Sequence, residues 1–258
     1  MNNWIAWFLF LPSLLMSNSK EGIEAFVQSN VFYTTELSPY LEIRLHILAD
    51  RFTKKIERDS LLSIESQVTL ILRKDSNMVK AERLLLNSTP QKNLHDIIHL
   101  VRWQLPAGNY ILETKIEDLR DTSRELSLLD SIEIKNIPLK PHVSGLQLAS
   151  VIRESKDTIN LFYKNGFISE PLPYAVYKET QKLLGAYFET YHCDKLGKRF
   201  FYKFNLSKQD SSGNFIVQQE WHKARNARNF DAYYLKPVSY THLRAHETDS
   251  YLVCRLLL

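Results

Sequence analysis

Apolar and polar residues alternate along much of this chain. In residues 41–47, leucine and isoleucine occupy every second position, and glutamate, arginine and histidine stand between them. Residues 64–72 repeat the pattern. Successive side chains of a β-strand point to opposite faces of the sheet, so a period of two gives each segment one apolar face. We therefore predict that both segments are half-buried strands.

The same pattern predicts further short strands in both halves of the chain. In the first half they cover residues 78–86, 99–105, 110–116 and 131–137. In the second half they cover residues 146–152, 183–191, 199–206 and 214–221, and the proline-containing residues 167–175 are predicted to form a loop. Many short strands with turn residues between them are typical of all-β sandwiches. The predicted fold is all-β, with tandem Ig-like or fibronectin-like sandwiches.

Two prolines, Pro138 and Pro141, mark the predicted boundary between the sandwiches. Proline does not continue a helix and has no N–H for a β-ladder, so a linker fits here. We predict a first sandwich over residues 20–137, a linker over residues 138–142 and a second sandwich from residue 143.

A corner between two strands is predicted at residues 105–110, which read Leu-Pro-Ala-Gly-Asn-Tyr. In Greek-key sandwiches, a tyrosine near the start of a late strand turns its hydroxyl back onto the preceding corner. We predict that Gly108 shapes this corner and that Tyr110 closes it, so both are candidate structural residues. An ordinary hairpin turn with a surface tyrosine is the alternative.

Charge and composition exclude several function classes. Lys and Arg number 33 and Asp and Glu 29, so the formal net charge of +4 is too small to predict a nucleic-acid partner. The chain has 7 glycines and neither of the glycine-rich phosphate-binding motifs, and we expect no cofactor. Two cysteines, Cys193 and Cys254, allow at most one disulfide, which excludes a fold built on disulfides.

The N-terminal residues predict export from the cytoplasm. Residues 4–16 are apolar except for Ser13, and the first charged side chain is Lys20. This run is shorter than the ~20 residues of a membrane-spanning helix and fits the apolar core of a signal peptide. We predict a signal peptide over residues 1–19 and an extracytoplasmic protein, in the periplasm, at the cell surface or secreted. A membrane contact is expected only through this segment if it stays uncleaved, and a buried N-terminal strand or helix is the alternative.

Two histidines four residues apart, His95 and His99, resemble a metal-binding pair with Asp96 between them. Four residues bring two ligands together on a helix, whereas this segment is predicted to connect two strands. A third ligand is not evident nearby. We therefore predict no metal site here.

Cys193 follows His192 directly, which suggests a nucleophile with its base. Neighbouring residues of a strand point to opposite faces, so a lone thiol is the better interpretation. The basic residues 222–228 are predicted to form a solvated loop. We assign no catalytic, cofactor-binding or metal-binding residue.

The end of the chain holds four further potential metal ligands, His242, His246, Glu247 and Cys254. However, residues 238–258 resemble a translated sequencing adapter. The transposase-type adapter translates as Val-Ser-Tyr-Thr-His-Leu-Arg-Ala-His-Glu-Thr, and the flow-cell segment after the barcode translates as Leu-Val-Cys-Arg-Leu-Leu-Leu. We interpret this tail as non-native, with leftover cloning sequence as the alternative. The second sandwich, residues 143–237, would then be incomplete and poorly folded in isolation.

Several blocks of the chain resemble the N-terminal region of the GWxTD-domain proteins of Bacteroidetes. The likeness covers roughly residues 25–237. The blocks that carry it are residues 39–43, 67–72, 80–88, 105–113 and 116–119. The element that names the family is absent, because none of the tryptophans Trp4, Trp7, Trp103 and Trp221 follows a glycine. The resemblance implies an exported protein with tandem β-sandwiches and no defined activity.

These observations favour a non-enzymatic, exported module with a structural or interaction role. The expected partner is an unidentified protein or glycan. Two alternatives remain open at the level of sequence. The sandwiches could be accessory domains of an extracytoplasmic enzyme, or they could bind carbohydrate or peptide through exposed aromatic residues.

Overall fold

A computed structural model describes residues 22–172, 183–209, 214–239 and 252–257. These residues form β-sheets with short connections, so the predicted all-β sandwich fold is confirmed. The chain divides into two compact units. Among the described residues, the first unit contains residues 22–30 and 38–136, and the second unit contains residues 31–37 and those from Ile137 onward.

The first unit is built from two main sheets. Its longer strands are β1 (Ala25–Tyr33, whose last three residues belong to the second unit), β2 (Pro39–Ile47), β5 (Glu65–Lys74), β6 (Asn77–Asn87), β7 (Ile97–Gln104), β8 (Gly108–Asp118) and β9 (Glu125–Ile134). One sheet has the order β1-β2-β7 and the other the order β6-β5-β8-β9. The short strands β3 (Lys55–Ile56) and β4 (Leu62–Ser63) pair with each other.

The predicted alternation matches the core of the first unit. Leu41, Ile43, Leu45 and Ile47 of β2 are fully buried, as are Val68, Leu70 and Leu72 of β5. The Trp103 indole N–H of β7 donates to a carboxylate oxygen of Glu82 on β6 at 2.8 Å, which joins the two sheets. Burying one such leucine or isoleucine contributes about 1.5–3 kcal/mol. The first unit is therefore a sandwich stabilised by the apolar faces that the sequence pattern predicts.

The second unit also has two main sheets. Its strands are β10 (His142–Val143), β11 (Gln147–Glu154), β12 (Tyr163–Lys164), β13 (Phe167–Pro171), β14 (Leu183–Tyr191), β15 (Arg199–Gln209), β16 (Phe215–Asn226), β17 (Phe230–Ser239) and β18 (Leu252–Leu257). In one sheet, β10 and β11 pair with one edge of β14 and β17 with the other, while β13 and β12 extend the sheet beyond β11. The other sheet has the order β16-β15-β18.

Aromatic residues from both sheets form the core of the second unit. Phe188 of β14 lies 5.3 Å from Tyr202 of β15 and 5.4 Å from Tyr233 of β17, measured between ring centroids. Phe200 and Phe204 complete this cluster. The alternation of β15 puts Phe200, Tyr202 and Phe204 on one face, which explains how three aromatic residues in a short segment enter one core.

Two segments differ from their predictions. The predicted loop at residues 167–175 contains β13, because Phe167–Pro171 pairs with both β11 and β12. The basic residues 222–228 were expected in a solvated loop, but β16 continues to Asn226. Most of these basic residues therefore lie on an edge strand, with their positions fixed by pairing to β15.

The corner before β8 has the geometry of a tyrosine corner. The Tyr110 hydroxyl donates to the Pro106 carbonyl oxygen at 2.8 Å, and the side chain is buried. Burial raises the pKa of Tyr110, so the hydroxyl stays protonated and remains a donor at neutral pH. A methyl group added at Gly108 would lie 3.0 Å from the ammonium nitrogen of Lys74, at the end of a flexible side chain.

Replacing the tyrosine tests this corner. We expect Tyr110→Phe to lower the free energy of unfolding by about 1 kcal/mol, because one hydrogen bond is lost while the ring stays buried. Gly108→Ala is the control and should change stability by less than ~0.5 kcal/mol, because the Lys74 side chain can move aside. Urea denaturation measures both. An unchanged stability of Tyr110→Phe would show that the hydrogen bond contributes nothing.

Candidate functional site

A tight hairpin delivers two polar side chains to the middle of the second unit. Asn165 and Gly166 connect β12 to β13 with φ values of 48° and 86°. Positive φ at both central residues is typical of the type I′ turn, which Asn-Gly favours. The turn places Lys164 and Asn165 beside β14, where both contact Glu189.

Glu189 is the centre of a buried polar cluster. Tyr187, Glu189 and Tyr191 alternate along β14 on the face opposite Phe188, and all three are fully buried. One carboxylate oxygen of Glu189 accepts hydrogen bonds from the Tyr187 hydroxyl at 2.6 Å and from the Asn165 amide at 3.0 Å. The other oxygen accepts from the Tyr191 hydroxyl. We call Lys164, Asn165, Tyr187, Glu189 and Tyr191 the Glu189 cluster.

A cation and an N-terminal segment complete this cluster. The Lys164 ammonium nitrogen lies 3.2 Å from Glu189 Oε1 and 2.9 Å from the centre of the Phe32 ring. The Tyr33 backbone N–H donates to the Tyr191 hydroxyl at 3.0 Å. Lys164 is 7% exposed and Glu189 0%, so the charges are sealed from solvent. Hydrogen bonds to the Glu189 carboxylate and its ion pair with Lys164 stabilise this enclosed charge.

The first unit contains a second buried ion pair. Glu42 lies 3.0 Å from the Arg102 guanidinium and 3.6 Å from that of Arg44, which also donates to Asn30. Burial lowers the pKa of Arg44 to about 10, with Glu42 acting in the opposite direction. Arg44 therefore stays protonated at neutral pH. Glu42 and Arg44 lie on the face of β2 opposite its leucines and are themselves buried, which explains why both faces of this strand are buried.

A surface groove of about 260 Å³ lies between β16 and β17. Its lining comes from alternate residues of β16 and from consecutive residues of β17. The lining residues are Lys223, Arg225, Asp231, Ala232, Tyr233 and Tyr234. Among the described strands, β16 pairs only with β15 and β17 only with β14, so the groove follows two outer sheet edges.

Arg225 is the central cation of the groove. Its guanidinium carbon lies 5.5 Å from the centre of the Tyr202 ring and 5.3 Å from that of Tyr233. One terminal nitrogen donates to the Ala224 carbonyl at 3.0 Å. Within the part of the chain that the structure describes, Arg225 forms no ion pair with a carboxylate. Two aromatic rings thus hold a half-buried guanidinium at the groove by cation–π contacts.

Asp231, the acidic residue of the groove, is already engaged. Its carboxylate accepts hydrogen bonds from the Ala232 N–H and from the Tyr233 hydroxyl, both at 3.0 Å. Arg228 lies 3.7 Å away. Burial and the neighbouring Asp231 charge raise the pKa of Tyr233 far above its usual range, which keeps its hydroxyl a donor. Ala232 lies opposite Glu189, whose carbonyl accepts from the Ser144 N–H at the other edge of β14. The Ala232 N–H therefore points away from β14, towards the groove.

The predicted histidine pair is not brought together as a metal site. His99 is half-buried in β7, and burial lowers its pKa. Asp96 instead contacts His46 at 2.8 Å and accepts from the Ala49 N–H at 3.0 Å. Sequence spacing gave no signal for this pair, because His46 and Asp96 are 50 residues apart. Over the described ranges, no group of three or more His, Cys, Asp or Glu residues could hold a metal ion.

Cys193 has the properties of a packed thiol. It is fully buried, and burial raises its pKa to about 11, opposite to the shift that activates a nucleophilic cysteine. From the sequence, His192 and Cys193 were expected to be neighbours in a strand. In the structure His192 lies after the end of β14 and adopts a left-handed conformation with φ of 53°. Its Nδ1 atom lies 2.9 Å from the Asn229 side-chain oxygen.

Comparison with known proteins adds no family. The chain matches no protein-family model, and no curated protein matches it. His242, His246 and Glu247 lie outside the described residues, as does the predicted signal peptide. None of the residues that are described forms a helix long and apolar enough to cross a membrane.

Proposed function

We propose that this chain is a non-enzymatic, exported interaction module of the GWxTD type, and that it binds an extended polypeptide in the groove between β16 and β17. The buried charges of both units serve packing, since Glu189 and Glu42 are enclosed with their partners. The interaction role falls on the groove, which is open to solvent.

The observation that carries this proposal is the course of the groove along the outer edge of β17. Four consecutive residues of that strand, 231–234, line it. Exposed strand edges bind extended peptides by adding a strand to the sheet, and neighbouring side chains then provide specificity. The Ala232 N–H faces the groove, and among the described residues it donates to the carboxylate of Asp231. A peptide carbonyl can replace that acceptor.

Binding of labelled peptides tests the proposal. The full chain is titrated into fluorescein-labelled heptapeptides with alternating valines, whose intervening positions are acidic, neutral or basic. We expect at least one peptide to bind, and we expect Ala232→Pro to weaken it by about tenfold or more, because proline removes the edge N–H. Ala232→Ser keeps that N–H and is the matched control.

Two outcomes would contradict the proposal. One is that no extended peptide binds at millimolar concentration. The other is that an oligosaccharide array binds the chain and the peptides do not, which would assign the groove to glycans. Circular dichroism of Ala232→Pro establishes that the variant remains folded, so that a loss of binding reports on the edge itself.

A further inference from the structure

The geometry points to an acidic partner: we infer that Arg225 and Lys223 bind carboxylate side chains two residues apart on the extended peptide. This inference rests on the proposed function and names the chemistry of its partner. It concerns charge and spacing, which the strand-edge pairing alone does not determine.

Arg225 supplies the first carboxylate site. The guanidinium group carries five N–H donors in a planar fork that matches a carboxylate with two parallel hydrogen bonds. One terminal nitrogen of Arg225 is used by the Ala224 carbonyl, and the rings of Tyr202 and Tyr233 hold the plane of the group. An arginine already oriented in this way loses little conformational freedom when it binds an anion.

Lys223 supplies the second carboxylate site, two residues along the same strand. Side chains at positions i and i+2 of a strand lie on one face, roughly 7 Å apart. An extended partner strand has the same repeat, so its own i and i+2 side chains match Lys223 and Arg225 in spacing. The structure therefore predicts the pattern acidic-x-acidic in the bound segment.

The remaining charge of the groove does not oppose this assignment. Asp231 is the acidic residue of the lining, and it is engaged by Ala232, Tyr233 and Arg228. The lining thus holds two cationic residues against one acidic residue with several partners. Basic partner strands would meet Arg225 and Lys223 at close range, which is unfavourable.

The free edge of β15, in the other sheet of this unit, pairs with an extended segment that belongs to the adapter-like tail. β18 lies antiparallel beside β15, with pairs from Lys203↔Leu257 to Lys208↔Leu252. Such pairing uses main-chain groups and therefore places few demands on sequence. This makes an extended polypeptide, rather than a polyanion of another class, the occupant that the unit's edges favour.

The test compares three labelled peptides on the full chain by fluorescence anisotropy. They are acetyl-Thr-Val-Glu-Val-Glu-Val-Thr-amide and its Gln and Lys counterparts. We expect the Glu peptide to bind about tenfold more tightly than the Gln peptide, since charge-assisted hydrogen bonds are replaced by neutral ones. The Lys peptide should bind more weakly than both.

A double-mutant cycle locates the charge preference. Arg225→Gln should weaken the Glu peptide about tenfold and leave the Gln peptide nearly unchanged. Arg153→Gln, at an exposed arginine on β11, is the control and should alter neither. If Arg225→Gln weakens the Glu and Gln peptides by the same factor, then Arg225 supports the structure of the groove and does not bind a carboxylate. That result would overturn the inference.

The remaining outcomes separate this inference from the proposed function. Equal binding of the Glu and Gln peptides would overturn the acidic preference while leaving peptide binding in place. No binding of any peptide would overturn both. Tighter binding of an eight-nucleotide thymidine oligomer than of the Glu peptide, with the same dependence on Arg225, would identify a general polyanion site and contradict the assignment.

Discussion

Lys164→Met is expected to destabilise the second unit by about 3–5 kcal/mol. The substitution keeps the volume of the side chain but leaves Glu189 buried without its cation, and breaking a buried ion pair on one side costs about this much. Lys164→Met combined with Glu189→Gln should recover part of the loss, because the buried charge is then removed from both sides. Lys156→Met, at an exposed lysine, should stay within ~0.5 kcal/mol of the parent.

Amide hydrogen exchange measures this effect within one molecule. The amides of β14 and β15 should exchange faster in Lys164→Met, while those of β5 and β8 in the first unit serve as internal controls. If β14 exchanges at the parent rate in the single variant, then the ion pair does not hold this unit together. A double variant less stable than the single variant would show that the Glu189 carboxylate stabilises the unit through its tyrosine and asparagine partners without Lys164.

Phe32→Ala is expected to have an effect of similar size on the second unit, although residue 32 lies far earlier in the chain. Phe32 is fully buried beneath the Lys164 ammonium, and its ring centre lies 6.1 Å from that of Tyr187. Replacing a buried phenylalanine by alanine costs about 3–5 kcal/mol. Phe201→Ala is the matched control, because Phe201 is 67% exposed and its loss should cost little.

The same contact predicts the behaviour of a fragment. Residues 137–258 alone lack residues 31–37, which belong to the second unit. We expect this fragment to show no cooperative thermal transition, and addition of a synthetic peptide of residues 25–37 should increase its protection against hydrogen exchange. A cooperative transition for the fragment without the peptide would show that Phe32 and Tyr33 are dispensable.

Alternation predicted most strands of the first unit because each has one apolar face. β2, β5 and β8 match the pattern closely, and their inward residues are buried. β9 begins earlier than predicted, at Glu125, because Leu126 and Leu128 already alternate with polar residues. β1 and β17 were missed, since β1 contains Gln28 and Asn30 among apolar residues and β17 follows a charged segment.

The Glu189 cluster could not be predicted from its own strand. In β14, Glu189 looks like an ordinary polar residue on a solvent-facing side. Its partners come from a hairpin about 25 residues earlier and from the strand that ends at Tyr33. The local pattern of polar and apolar residues in one strand does not predict which distant segment covers its face. The Asn165-Gly166 pair was the one local signal, because it predicts a two-residue hairpin directly.

The groove was missed for a different reason. Residues 222–228 were predicted to be a solvated loop because they carry several charges. Edge strands tolerate such charges, which protect the free edge from unwanted pairing. The structure extends β16 to Asn226 and so places Arg225 against aromatic rings.

The strand at the end of the chain is compatible with the likeness of residues 238–258 to a translated adapter. β18 lies within this range and pairs with β15 through the main chain. An open edge accepts an extended segment of almost any sequence, since the hydrogen-bonding groups are common to all residues. The pairing therefore shows that the β15 edge is open, and it is no argument that the tail is native sequence.

Hydrogen exchange of residues 231–234 in the presence of the tightest-binding peptide tests peptide binding at the β16–β17 groove most directly. Strand addition to β17 would slow exchange at the amides that face the free edge, Ala232 and Tyr234, with the largest change at Ala232, and leave β5 and β8 unchanged. Unchanged exchange at residues 231–234 while the peptide is bound, or protection confined to the first unit, would contradict binding at this edge.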